Sequence, residues 1–146
     1  MTTTLQSFIL TALAEFGTTE FSGEKHNSRI LEYHRATTLK ATTDEVAWCS
    51  SFVNWIVQQC GLVPTQSAAA RSWLSWGKPI EKPVMGCIVV LDRRSADNPN
   101  AAHVGFYISE QGANINVLGG NQSNSACILP YAKSKILGYR VPENYV

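Results

Sequence analysis

Residues 103–109 read His103-Val104-Gly105-Phe106-Tyr107-Ile108-Ser109, and this stretch decides the fold. Its residues alternate with the two-residue period of a half-buried β-strand. Val104, Phe106 and Ile108 form the core face, so His103, Gly105 and Tyr107 look the other way. Similar short β-rich runs flank it at Gly86–Asp92, Asn114–Gly119, Ala126–Tyr131 and Ile136–Val141. Turn compositions separate them: Asp97-Asn98-Pro99-Asn100, Gln111-Gly112 and Gly119-Gly120-Asn121.

Towards the N-terminus the period becomes helical. Leu5, Phe8, Ile9, Ala12, Leu13 and Phe16 recur at helical spacing up to Gly17. A short helix is expected over Ser28–Ala36, and the main helix over about Asp44–Cys60, stopped by Gly61 and Pro64. Ser67–Trp76 reads as one more short helix, ended by Gly77 and Pro79. Helices first and an antiparallel meander second give an α+β fold, with the N-terminal helices packed on a C-terminal antiparallel sheet.

Composition bounds the function. The chain has 146 residues, which suits a single domain, 1–146. A net charge of +1 argues against a nucleic-acid or polyanion binder. Four cysteines without a Cys-x-x-Cys spacing argue against a disulfide scaffold, a zinc ribbon or a redox motif. No Lys or Arg precedes Lys25, so the start lacks the charged region of a secretory signal, and no apolar run reaches the ~18 residues of a membrane span. A soluble protein made in the cytoplasm, with no membrane insertion, is expected.

The chemistry is sought in Trp48-Cys49-Ser50-Ser51-Phe52-Val53-Asn54-Trp55. Amides at a helix N-terminus stabilise an anion and lower a thiol pKa. Thr42-x-x-Glu45 matches a capping box, which would start the helix near Thr43 and leave Cys49 almost two turns in. The expected start is nearer Ala47, with Asp44-Glu45 as a lead-in turn. A thiolate nucleophile needs a base, and His103 offers one. With Glu110-Gln111-Gly112 as the hairpin loop, Ser109 pairs with Ala113 and His103 falls opposite Gly119. Asn121 then lies on the same face, roughly 7–8 Å away diagonally, able to orient the imidazole. Each residue also has a structural reading. Cys49 shares a helix face with Phe52, Val53, Ile56, Val57 and Cys60; His103 simply opens a strand; Gly119-Gly120-Asn121 is a common turn.

The segments WCSSFVNW, GCIVVL, HVGFYIS, VLGGNQSN and LGYRVP, in this order, resemble a family of small papain-like cysteine hydrolases. The family comprises the CHAP and NlpC-type amidase/peptidases of phage endolysins and of peptidoglycan-degrading type VI secretion effectors. The resemblance runs from about Glu15 through Asn27–Tyr33 to Pro142. It implies that Cys49 attacks an amide carbonyl, that His103 is the general base, and that Asn121 is the third residue, with Gln122 the next candidate. Trp48, Gly105, Gln122, Trp73 and Trp76 are the candidate substrate-binding residues. The implied substrate is the peptide part of peptidoglycan, and no metal or cofactor is needed. A bacteriolytic endolysin or an antibacterial effector toxin is implied, monomeric, delivered to the periplasm or wall, with a cognate immunity protein if an effector. Two rivals stay open: an inactive wall-binding module of the same fold, and a cysteine peptidase or acyltransferase acting on protein.

The sequence departs from the family at two places. No carboxylate precedes Asn121 in Leu118-Gly119-Gly120, where a Glu is common, and Cys87 stands where relatives commonly have Asp. Cys60 is about 16 Å along the helix from Cys49, too far for a disulfide. Cys60, Cys87 and Cys127 are expected to be free buried thiols, a disulfide among them remaining the alternative.

Overall fold

The computed structural model describes residues 3–21, 26–38 and 47–145. Helix α1 (Thr4–Leu13) starts from a capping box: Thr3 and Gln6 exchange side-chain and backbone hydrogen bonds. Helix α2 (Ser28–His34) is capped by Asn27, whose side chain accepts from the Arg29 amide. Helix α3 (Cys49–Gln59) begins abruptly behind Trp48, without a side-chain cap. It starts two residues beyond the expected Ala47, and the expected lead-in turn, Asp44-Glu45, lies outside the described residues. Thr42 and Glu45, which match a capping box in sequence, lie outside the described residues. The stretch expected to be a helix over Ser67–Trp76 is a 3₁₀ helix limited to Ala70–Ser75.

Six strands form one antiparallel sheet: β1 (Lys78–Ile80), β2 (Ile88–Asp92), β3 (Ala102–Gln111), β4 (Asn114–Gln122), β5 (Ser125–Ala132) and β6 (Ile136–Val141). The order is β1-β6-β2-β3-β4-β5. The expected meander holds from β2 to β5, but β6 returns to pair with β2, and the unexpected β1 pairs outside β6. Lys78-Pro79 is thus an edge strand rather than only a helix stop; proline fits at an edge because it lacks the ladder donor.

The β3–β4 hairpin differs from the expected register. Gln111 pairs with Asn114 across a two-residue turn, Gly112-Ala113, instead of Ser109 with Ala113. Gly112 has φ +60°, which suits the first central residue of such a turn. A second irregularity decides the site. Gly119 pairs with Cys127, yet Gln122 pairs with Ser125, so β4 carries one residue more than β5 between these pairs. Asn121 sits in this bulge with φ +56°. An extra residue reverses the alternation beyond it, moving Gln122 onto the face that Asn121 would otherwise occupy.

Helix α3 packs on β3 and β4, and its N-terminus meets the Gly119-Gly120 segment. A Cβ at Gly120 would lie 2.6 Å from Trp48 Cζ3 and 2.7 Å from Phe52 Cβ. The glycine therefore sets how closely the helix approaches the sheet. Tyr33 of α2 packs on the same end of α3, with its ring 5.1 Å from Phe52 and 5.8 Å from Trp48. The far side of α3 is anchored by polar groups. Buried Asn54 donates to the Ser50 and Ser67 carbonyls and accepts from the Gln66 amide. Ser50 donates to the Ser67 carbonyl and accepts from Trp73 Nε1. These bonds leave the first turn of α3 little freedom to slide.

Gly120→Ala is expected to destabilise the protein by about 1–3 kcal/mol, the usual cost of overpacking a dense interior. Urea unfolding followed by tryptophan fluorescence measures this; an unchanged midpoint would show that the helix–sheet approach tolerates a methyl group.

Candidate active site

Cys49 is the first residue of α3, so its thiol lies where the helix offers unpaired amides. Burial is the strongest influence on it and pushes the thiol above its ordinary pKa. The backbone N–H groups of Val104, Ser50 and Cys49 oppose that shift, as does the positive charge of Arg93. The amide expectation for the helix terminus is therefore met in direction, but desolvation outweighs it. The influence of the Val104 amide puts the thiol near the start of β3, the strand that carries His103.

His103 is buried, at 1% exposure. Its Nε2 lies 2.8 Å from Oε1 of Gln122. Gln122 Nε2 donates to the carbonyl oxygens of Val117 at 3.0 Å and Cys127 at 2.7 Å. Backbone carbonyls only accept, so the amide cannot be turned around. Its oxygen must face His103, and His103 Nε2 must carry the proton. That leaves Nδ1 as the basic nitrogen. Tyr131 supports the ring: the two rings stack with centroids 5.1 Å apart, and the phenolic oxygen lies 3.4 Å from Nε2.

Desolvation pushes the imidazole pKa down to about 4; the Gln122 bond raises it, and the Arg93 charge lowers it further. At neutral pH the resting pair is thus an uncharged thiol and an uncharged imidazole. Gly119 lies against this pair, because a Cβ there would meet Gln122 Oε1 at 2.6 Å and His103 Nε2 at 3.4 Å. Residues read as turn composition are in fact the last part of β4, made of glycine so that the Gln–His bond fits over it.

Several expected site residues stand elsewhere. Asn121 does not hold His103; the bulge gives that position to Gln122, while Asn121 lines the adjacent groove. Trp48 is fully buried, and its Nε1 donates to Glu20. Trp73 is fully buried against Ser50. Neither indole is available to a substrate, because each is consumed in seating α3. Trp76 is half-buried and donates to the Val63 carbonyl at a separate depression with Leu62 and Glu143. At Gly105 the free space is taken by Val117 and the Leu118 carbonyl, so β4 fills it rather than a substrate.

The groove beside the pair has a volume of about 460 Å³ and is lined by Arg93, Asn121, Gln122, Ser123, Tyr131 and Lys135, among others. A larger hollow of about 560 Å³ lies between α1 and Val84-Met85; it is mainly apolar and holds none of these groups. Tyr131 and Arg93 were not foreseen, since neither carries a spacing signal. All four cysteines are free thiols. Cys87 is buried and pushed up to about 11 by burial. Cys60 lies 3.5 Å from the Thr11 hydroxyl, and Cys127 donates to the Gln122 carbonyl oxygen. Among the described residues no group of three or more His, Cys, Asp or Glu side chains is placed to hold a metal.

A family model, the CHAP domain, matches residues 41–121, more than half of the chain. The match contains Cys49 and His103 and ends at Asn121. The chain belongs to the CHAP domain family. CHAP domains are generally cysteine- and histidine-dependent amidases or peptidases, with activity related to peptidoglycan. No curated protein matches the chain. The α+β arrangement of helices on an antiparallel sheet is the architecture expected of a CHAP, papain-like fold. Among the described residues, no helix of this CHAP domain is long and apolar enough to cross a membrane.

Two predictions follow from this geometry. His103 is neutral in the folded protein down to about pH 4, whereas in the unfolded chain it gains a proton near 6.5. The unfolded state therefore binds more protons between these values. Stability is full above about 6.5 and falls as pH drops towards 4, by on the order of 3 kcal/mol from this group. Chemical denaturation across that window should show the loss, and His103→Gln should remove it. Gln122→Ala should lower kcat on the order of 10²-fold while keeping the far-UV circular dichroism, as loss of a positioned base would. Asn121→Ala should cost much less, and equal losses in the two variants would contradict the assigned geometry.

Proposed function

We propose that this CHAP domain hydrolyses an amide bond in the stem peptide of peptidoglycan, with Cys49 as nucleophile, His103 as general base and Gln122 as the positioning residue. The observation that carries the reading is the fixed Gln122 amide. It holds His103 in the tautomer whose free nitrogen is Nδ1. The amide of Val104, the residue that follows His103, eases ionisation of the Cys49 thiol.

The reaction begins with a neutral pair. As Cys49 Sγ bonds to the amide carbonyl carbon, its proton passes to His103 Nδ1. The imidazolium that forms is held by the Gln122 oxygen at Nε2–H. Charge accumulates on the former carbonyl oxygen, which the unpaired amides at the start of α3 are suited to receive. His103 then returns the proton to the departing amine, the C–N bond breaks, and a thioester remains on Cys49. Water attacks the thioester with His103 as base, releasing the carboxylic acid and restoring the thiol. A buried, low-polarity setting keeps both groups uncharged at rest, so proton transfer accompanies attack instead of preceding it. The working protein is placed at the cell wall by its substrate.

Purified sacculi digested by the protein should release defined muropeptides by mass spectrometry, showing which bond is opened. Cys49→Ala and His103→Ala should each reduce release by at least about 10³-fold while remaining folded. Full activity of Cys49→Ala would overturn the proposal, and release of fragments only from a protein substrate would redirect it to a different peptidase.

A further inference from the structure

The groove beside His103 is not chemically neutral, and its charges are unequally committed. Asp92 lies on its wall, but both carboxylate oxygens are engaged by Arg94, at 2.9 and 2.7 Å, and Arg71 approaches at 3.7 Å. Arg94 holds the Asp92 carboxyl down to about 2, so it stays ionised and satisfied. Arg93 and Lys135 are different. Among the described residues neither side chain has a hydrogen-bond or carboxylate partner. The groove thus presents two uncommitted cations and no uncommitted anion.

Its position ties it to the reacting groups. Leu91 pairs with His103 across β2 and β3, and Arg93 lies two residues beyond Leu91, on the same side of the chain. The opposite wall carries Gln122 and Tyr131, both of which touch His103. The positive charge of Arg93 acts on Cys49, His103 and Tyr131 alike. The floor between the cations is polar. Asn121, Ser123 and Asn124 line the groove between the two cations.

We infer that Arg93 and Lys135 form a carboxylate-recognition subsite, so that this domain selects stem peptides carrying a free carboxylate beside the amide that Cys49 attacks. The inference rests on the hydrolase reading for the identity of the peptide, but not for the binding of the carboxylate. A guanidinium presents two parallel N–H donors to a carboxylate, and an ammonium supplies a second point of charge. Amidation of the same carboxyl group removes the charge while keeping the shape. The subsite therefore distinguishes acidic from amidated stem peptides, although the near-zero net charge of the whole chain suggests no such selectivity.

Binding is measured apart from catalysis. Cys49→Ala protein is titrated by calorimetry with a synthetic stem peptide in its free-acid form and in its carboxamide form. The acid form should bind at least about tenfold more tightly, in keeping with a charged hydrogen-bonded contact, and more weakly as salt increases. Adding Arg93→Gln or Lys135→Gln should reduce that ratio, and both together should bring it close to one. Lys133→Gln, a charge change at a surface pair with Glu110, should leave the ratio unchanged. Arg93→Lys should keep part of it, which separates loss of charge from loss of fold. Equal binding of the two peptides, or an unaltered ratio in the double variant, would overturn the inference. Hydrolysis of the two peptides by the unaltered protein is scored separately. A preserved binding preference without cleavage would overturn the hydrolase reading and leave the subsite standing; cleavage without preference would do the reverse.

Discussion

The Gln122 amide has three hydrogen-bonding commitments, and they depend on one another. Its two N–H bonds to the Val117 and Cys127 carbonyls join one strand to the next, and they dictate where its oxygen points. That oxygen determines the tautomer of His103, and the tautomer leaves Nδ1 as the unprotonated nitrogen. The arrangement is possible only because Gly119 leaves room for it and the bulge at Asn121 turns Gln122 inward. Helix α3 is brought to the same place by Gly120, which lets Trp48 and Phe52 lie on the strand. The sheet, the helix and the reacting pair are therefore positioned by a segment of four residues.

Dryness is the second governing condition. Cys49 and His103 are both nearly sealed from solvent, and desolvation moves both toward their neutral forms. An isolated helix terminus would favour a thiolate, but here the cost of taking an anion out of water is greater. Arg93 works against that cost for the thiol and adds to it for the imidazolium. Arg93 thus eases charge on sulfur and opposes it on the ring, while burial opposes both.

Much of this was legible in the residues. Alternation identified β3, short β-rich runs between turn residues identified β2, β4, β5 and β6 within a few positions, and apolar spacing identified α1 to α3. Cys49 and His103 were legible as types: a thiol opening a helix and an imidazole on the far face of an alternating strand. The third residue was not. A bulge leaves no periodic trace, so regular alternation pointed to Asn121 when the chain had gained a residue and moved the role to Gln122. The tryptophans admit two readings for a related reason. An indole beside a reactive residue suits a binding groove and a tight helix–sheet contact equally, and only the hydrogen bonds to Glu20 and Ser50 separate the two. Arg93 and Tyr131 are placed by tertiary geometry alone.

The extra residue in β4 also bears on how relatives are compared. A bulge acts as a shift of reading frame for side-chain direction, since every residue after it faces the opposite way. A homologue that lacks the insertion would present the residue aligned with Asn121, and not the one aligned with Gln122, to its histidine. Two such proteins could perform the same proton transfer with partners in adjacent alignment columns. Equivalence in this part of the fold is therefore a property of strand facing, and a one-residue insertion or deletion between Gly119 and Gln122 would exchange the orienting residue without any substitution at either position.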